Sequence, residues 1–210
     1  MRLEDRTLRQ WLDALASDAP TPGGGAAAAI VAATGAALIA MTGRLSMGRG
    51  AAAELDARMQ ALVLEADAAR EAFLILAEED GAAFDAVMAA FRLPKVTAED
   101  EAARVRAIQE ALDGAAIVPL DVARRAVALM ALGEDAAALG NPNAASDGYS
   151  GGAMLFAATL AALANVRINA ASLKDATRVA ALLGETDDLR SRADALLGEV
   201  QVAFLRQLPS

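Results

Sequence analysis

The chain has 210 residues; 56% are hydrophobic, only 3% are aromatic, and the formal charge is −9. Its length favours one domain, and a core of Ala, Leu and Val suits closely packed helices better than strands. The absence of cysteine and histidine excludes a disulfide framework, a zinc ribbon, a thiol nucleophile and the usual acid–base group of neutral pH. Proton transfer therefore falls to carboxylates, Lys, Tyr149 or water, and no metal is expected. The negative charge argues against nucleic acid, which calls for a basic stripe.

In chain order, a first helix is expected over Glu4–Ala16, with Leu8, Trp11, Leu12 and Leu15 on one face. Ser17–Gly25 breaks it, because two prolines hold the chain extended and three glycines permit close backbone approach. The next helix, about Gly24–Met47, has small residues nearly all round. Its uncharged run Gly23–Gly43 is long enough to raise a membrane span, but it lacks large apolar residues and an aromatic belt. A central Ala/Gly-rich helix in an all-α, single-domain bundle covering residues 1–210 is the expectation, with no membrane partner. Met1–Asp18 is charged throughout, so no signal peptide is expected and the protein is placed in the cytoplasm.

A turn at Ser46–Gly50 leads to a long helix over Ala51–Phe91, with a bend near Gly81. Thr97-x-x-Asp100 carries a capping signal for a helix to about Leu132, which Pro119 is expected to kink or break. Gly140–Asn143 forms a turn, and Ser146 is expected to cap a helix reaching Ser172. Two further helices, Asp175–Leu183 and Thr186–Leu208, complete the bundle.

Asp80 stands out on periodicity. It lies on an apolar stripe of Phe73, Leu76, Phe84, Val87 and Phe91, one turn from Leu76 and Phe84. A carboxylate there is costly unless paired, or else its pKa rises. From pattern alone, a stripe edge, a bend at Gly81 or a buried Asp–Arg pair is the commoner explanation of such a position. Asn165 and Asn169 share a face one turn apart and mark a hydrogen-bond network or a ligand surface. Ser146 and Asp147 are both good N-caps. Asp147 precedes Asn165 by about 27 Å of helix, at a rise of roughly 1.5 Å per residue. The two cannot share one small site within a subunit; they serve opposite ends of a long ligand or meet across an interface. Pro20–Gly25 before a helix reads first as a tight helix–helix turn and second as an anion cradle, without the Lys-Ser/Thr pair of a P-loop. By default Arg44, Arg49, Lys95 and Lys174 are solvated surface cations.

Taken in order, several segments resemble the cyclodeaminase/methenyltetrahydrofolate cyclohydrolase family. They are Pro20-Thr21-Pro22-Gly23-Gly24-Gly25, Glu79-Asp80-x-x-Ala83-Phe84-Asp85-Ala86-Val87-Met88 and Leu93-Pro94-Lys95. Ala107–Ala111, Val118-Pro119-Leu120, Gly140-Asn141-x-Asn143, Ser146-Asp147 and Asn165-Val166-x-Ile168-Asn169 follow. The resemblance implies an all-α homodimer acting on a one-carbon tetrahydrofolate as substrate, with no tightly bound cofactor. It implies either hydrolysis of 5,10-methenyltetrahydrofolate to 10-formyltetrahydrofolate or loss of ammonia from 5-formiminotetrahydrofolate. Without a formiminotransferase domain in the sequence, the cyclohydrolase reading is favoured. A non-catalytic protein that self-associates through its Ala/Gly face is the competing class. Relatives commonly carry an Asn-Leu-Thr segment where this chain has Arg44–Ala51, so substrate preference is expected to differ if that segment touches ligand.

On that resemblance, Asp80 is the acid–base and electrostatic residue, and Asp147 the second catalytic candidate. Asp147, with Ser146, Asn141 and Asn143, binds pterin or the reacting nitrogens. Pro22, Gly23, Gly24 and Gly25, with Lys95 or Arg44, hold the anionic glutamate tail. Asn165 and Asn169 complete the substrate-binding set. Because the substrate carbon is already amidinium-like, a buried carboxylate can serve without histidine or metal.

Overall fold

The computed structural model describes residues 3–48 and 53–208. Arg49, Gly50 and Ala51 of the divergent segment lie outside them. Six helices follow in order: α1 (Leu8–Leu15), α2 (Gly24–Ser46), α3 (Ala53–Phe91), α4 (Ala98–Leu139), α5 (Ala145–Ala170) and α6 (Ala176–Leu205). Short 3-10 turns occupy Leu3–Asp5 and Pro142–Ala144, and no strand occurs among the described residues.

The Ala/Gly-rich α2 packs against α3, α4 and α5, while α6 covers α4 and α5. Small residues permit this central position. A Cβ built on Gly35 would meet the Gly151 carbonyl oxygen at 2.8 Å, and one on Gly151 would meet Gly35 O at 2.9 Å. Helices α2 and α5 thus touch backbone to backbone. They are antiparallel, since Gly24 opens α2 beside Asn165 near the end of α5. Buried Thr42, Thr159 and Thr186 each donate to the carbonyl four residues earlier, so their hydroxyls cost the core little.

By length and composition, Gly24–Ser46 and Pro142–Ala170 could each cross a membrane. In the first, 56% of the apolar window is buried within the protein itself.

Several boundaries differ from expectation. On the apolar face of α1, Trp11 is buried and Leu15 half-buried, whereas Leu8 and Leu12 are exposed. Helix α3 is continuous through Gly81, as expected, and α6 is continuous through Gly184, where two separate helices were expected. A helical glycine costs only about 1 kcal/mol, which packing of the flanking turns offsets. Ser146 does not cap α5, because the helix begins at Ala145; Asn141 instead caps the preceding 3-10 turn through Asn143 N at 3.1 Å. The Thr97–Asp100 capping box is present in full. Helix α4 continues to Leu139, with Pro119 buried inside it. A proline at 119 has no N–H for the carbonyl of Ala115, four residues earlier. That carbonyl accepts from Asn169 Nδ2 of α5 at 2.8 Å. A side chain of another helix has replaced the missing backbone donor.

Candidate active site

The α2 N-terminus, the middle of α3 and the end of α5 enclose a cavity of about 310 Å³. Pro20, Thr21 and Gly23–Gly25 form one wall, Asn165 and Asn169 another, and Phe84, Val87, Leu112 and Ala115 an apolar floor, with Asp80 on the rim of α2. The volume lies at the small end of ligand pockets and suits a bicyclic head group more than an extended ligand.

Asp80 reaches this cavity from α3 because its stripe turns away from the core there. Phe73 and Leu76 are buried, Phe84 and Val87 half-buried, and Phe91 exposed. The Asp80 carboxylate accepts from Ala26 N through Oδ2 at 2.9 Å. Burial pushes its pKa above 3.8, and the Ala26 hydrogen bond partly opposes that rise. A Cβ at Gly25 would lie 2.0 Å from Asp80 Oδ1 and 2.6 Å from Cγ. Only a residue without a side chain lets the carboxylate sit on the helix terminus. Free N–H groups and the helix dipole favour an anion at that place. Here the anion is the chain's own Asp80.

This corrects the expected role of Gly25: its space is filled by the catalytic candidate and not by a glutamate tail. Gly24 packs against Asn165, whose Nδ2 would be 3.1 Å from a Cβ there. Pro22 lies outside the Asp80 cavity. It lines a neighbouring hollow of about 360 Å³ with Arg6, Trp11, Glu78 and Asp85.

Asp80, Gly23, Gly24, Gly25, Asn165 and Asn169 are therefore brought together; Asp147, Ser146, Asn141, Asn143 and Arg44 are not. Asp147 stands in the first turn of α5, eighteen residues or about 27 Å before Asn165. Arg44 ends α2 about 30 Å from Gly24 and pairs with Asp67. It cannot hold a tail together with the Pro20–Gly25 turn in one subunit. Asn141 is committed to the fold. Its N–H donates to Ser46 Oγ at 2.7 Å, its Nδ2 to Leu45 O at 3.3 Å, and its Oδ1 accepts from Asn143 N. Ser146 and Asn143 are exposed at the same far end. Lys95 is exposed between α3 and α4, past the Val87 end of the cavity. Among the described residues no three carboxylates converge as a metal site would require.

Sequence reasoning missed Ala26, Leu112 and Ala115 as parts of the site. The signal for Ala115 was present, since Pro119 leaves that carbonyl in need of a donor.

The family model described as formiminotransferase-cyclodeaminase matches residues 7–188. The chain belongs to this family. It is 40% identical over 192 residues to a methenyltetrahydrofolate cyclohydrolase of Methylorubrum extorquens, covering 91% of this chain and 92% of that protein. It is 34% identical to the formimidoyltransferase-cyclodeaminase of Rattus norvegicus over 95% of this chain, which spans 38% of that longer protein. Among solved structures it is similar to a formiminotetrahydrofolate cyclodeaminase from Thermotoga maritima. The TM-score is 0.87 at 28% identity, covering 98% of each chain. The expected all-α family and fold stand.

Proposed function

We propose that this family member hydrolyses 5,10-methenyltetrahydrofolate to 10-formyltetrahydrofolate, with Asp80 as the proton-transfer group. The observation that carries the reading is the Asp80 carboxyl, held over Gly25 and bonded to Ala26 N in a cavity with an apolar floor. The 40% identity to a cyclohydrolase of nearly the same length supports it.

Water adds to the amidinium carbon between N5 and N10, and one of its protons passes to Asp80. The resulting tetrahedral carbon carries a hydroxyl group. Asp80 returns its proton to N5 as the carbon–N5 bond breaks, and the hydroxyl proton leaves to solvent. A carboxyl whose pKa burial raises is a stronger base for the first transfer and still an acid for the second. Its negative charge also stabilises the cationic carbon before attack.

The cyclodeaminase reading is favoured by the structural likeness to the Thermotoga maritima protein. In it, N10 attacks the formimino carbon, and Asp80 protonates the departing nitrogen as ammonia leaves.

Lys95, exposed in the chain between α3 and α4, is the cation proposed for the glutamate tail. The chain is also proposed to form a homodimer. Val31, Met41 and Leu45 of α2 and Ile168 of α5 are exposed apolar residues on adjacent antiparallel helices. A two-fold axis across that face would bring one subunit's Asp147 end toward its partner's Asp80 end. Sedimentation of the purified chain reads this directly, and a monomer at micromolar concentration would contradict it.

The functional test uses purified protein and 5,10-methenyltetrahydrofolate. Its chromophore is expected to vanish well above the spontaneous rate. In a parallel assay, 5-formiminotetrahydrofolate would yield the chromophore and ammonia if the second reading holds. A folded protein inactive on both substrates would leave only self-association.

A further inference from the structure

One N–H of each cavity amide is already committed within the protein. Asn165 Nδ2 gives its hydrogen bond to Ala161 O at 2.8 Å, one turn back in α5. Asn169 Nδ2 donates to Ala115 O at 2.8 Å, the carbonyl that Pro119 leaves without a backbone partner. These bonds fix which way each carboxamide points. Turning either over would set its oxygen against a carbonyl oxygen at hydrogen-bond distance, where neither atom can donate. Among the described residues, neither Oδ1 accepts a hydrogen bond within the protein. One carboxylate oxygen of Asp80 is bound by Ala26, leaving Oδ1 as a further acceptor. The cavity wall thus presents three oxygens that no other protein group engages, Oδ1 of Asn165, Asn169 and Asp80, beside the second N–H of each amide.

We infer that Asn165 and Asn169 are specificity-determining residues that accept from the N–H donor edge of a reduced pterin, and that Pro119 is a positioning residue for Asn169. This rests on the folate reading above and assigns the orientation of the head group within the same cavity. The pyrimidine 2-amino group and ring N–H groups face the asparagine oxygens, while the one-carbon bridge lies toward Asp80. One helical turn separates the asparagines, about 5–6 Å between their Cβ atoms, which matches donors spread along one edge of a bicyclic ring. An anionic group facing the three oxygens would be repelled, so the glutamate tail leaves by the cavity mouth.

The test is calorimetric titration of the full chain with tetrahydrofolate and with its 2-desamino analogue. Neither carries the reactive carbon, so binding is read apart from turnover. The wild-type chain is expected to bind the desamino ligand about tenfold or more weakly, as losing a donor to a desolvated acceptor implies. Asn169→Leu and Asn165→Leu are each expected to weaken tetrahydrofolate by a similar factor, and in at least one of them the desamino ratio falls toward one. Pro119→Ala supplies an N–H to Ala115 O and releases the Asn169 amide. It should lower the desamino ratio while helix content stays unchanged, an effect that a merely structural proline would not produce. If the wild-type chain binds tetrahydrofolate and turns over its one-carbon form but shows equal affinity for both ligands, this inference fails alone. If it binds neither ligand, the folate reading fails with it. The comparison of the two ligands on the wild-type chain holds even if a variant does not fold.

Discussion

The two ends of the α2–α5 pair carry similar residue types and treat them in opposite ways. At the far end, Ser46 and Asn141 spend their side-chain polar atoms on nearby backbone, the Asn143 N–H included, with bonds of 2.6–3.3 Å. At the near end, Asp80, Asn165 and Asn169 use one polar atom each to fix an orientation and leave an oxygen facing a cavity. The closed set joins the chain between α4 and α5, whereas the open set keeps acceptors for something outside the protein. Asparagine or aspartate at a helix end is ambiguous until the partners of its atoms are known.

The strongest way to break this contrast is Asp80→Asn. The variant keeps an oxygen for Ala26 N but cannot carry a proton between water and N5. Turnover is expected to fall by about 10²–10⁴-fold. The same substitution is expected to stabilise the fold at pH 7. A raised Asp80 pKa means that its protonated form is the one the fold prefers, so its contribution to stability is lost as pH rises through the folded-state value. The advantage of the variant in chemical denaturation should therefore shrink as pH is lowered. A variant less stable than wild type at neutral pH would contradict the burial argument.

Gly25→Ala is the next largest expected effect. Its Cβ would displace the Asp80 carboxylate, since α3 and α2 cannot separate without opening the core. Turnover should drop by at least about tenfold, with a shifted acid limb of the pH–rate profile. Normal turnover with an unshifted profile would show that the carboxylate does not need that seat. At the far end, Asn141→Ala should cost stability instead, about 1–2 kcal/mol in chemical denaturation. The folded fraction should keep its rate, and a specific loss of turnover there would dissolve the contrast between the ends.

Much of the fold was legible in the sequence because its signals are local. Proline and glycine before α2, the Thr97–Asp100 box and the Ala-rich composition each act within a turn or two. Asp80 was visible as a misfit on an apolar stripe, and helix arithmetic alone separated Asp147 from Asn165. Two features were not legible, because their partners are more than fifty residues away in the chain. The sequence cannot reveal that Gly25, in the first turn of α2, seats Asp80, which arrives from α3. Nor can it reveal that Pro119 leaves α4 intact because Asn169 serves its orphaned carbonyl. The absence of a break at Pro119 and Gly184 shares one cause: local propensity is overridden by the buried residues in the flanking turns, Ala116 and Leu120 in α4 and Leu182 and Thr186 in α6.

The proposed chemistry depends on the protonation of one side chain, and carbon-13 titration of the Asp80 carboxyl in the ligand-free protein reads it directly. The midpoint is expected clearly above the ordinary value of 3.8, and the resonance assigned by its absence in Asp80→Asn. A midpoint at or below 3.8 would mean that the seat on α2 outweighs burial, leaving Asp80 too weak a base for the proposed transfers.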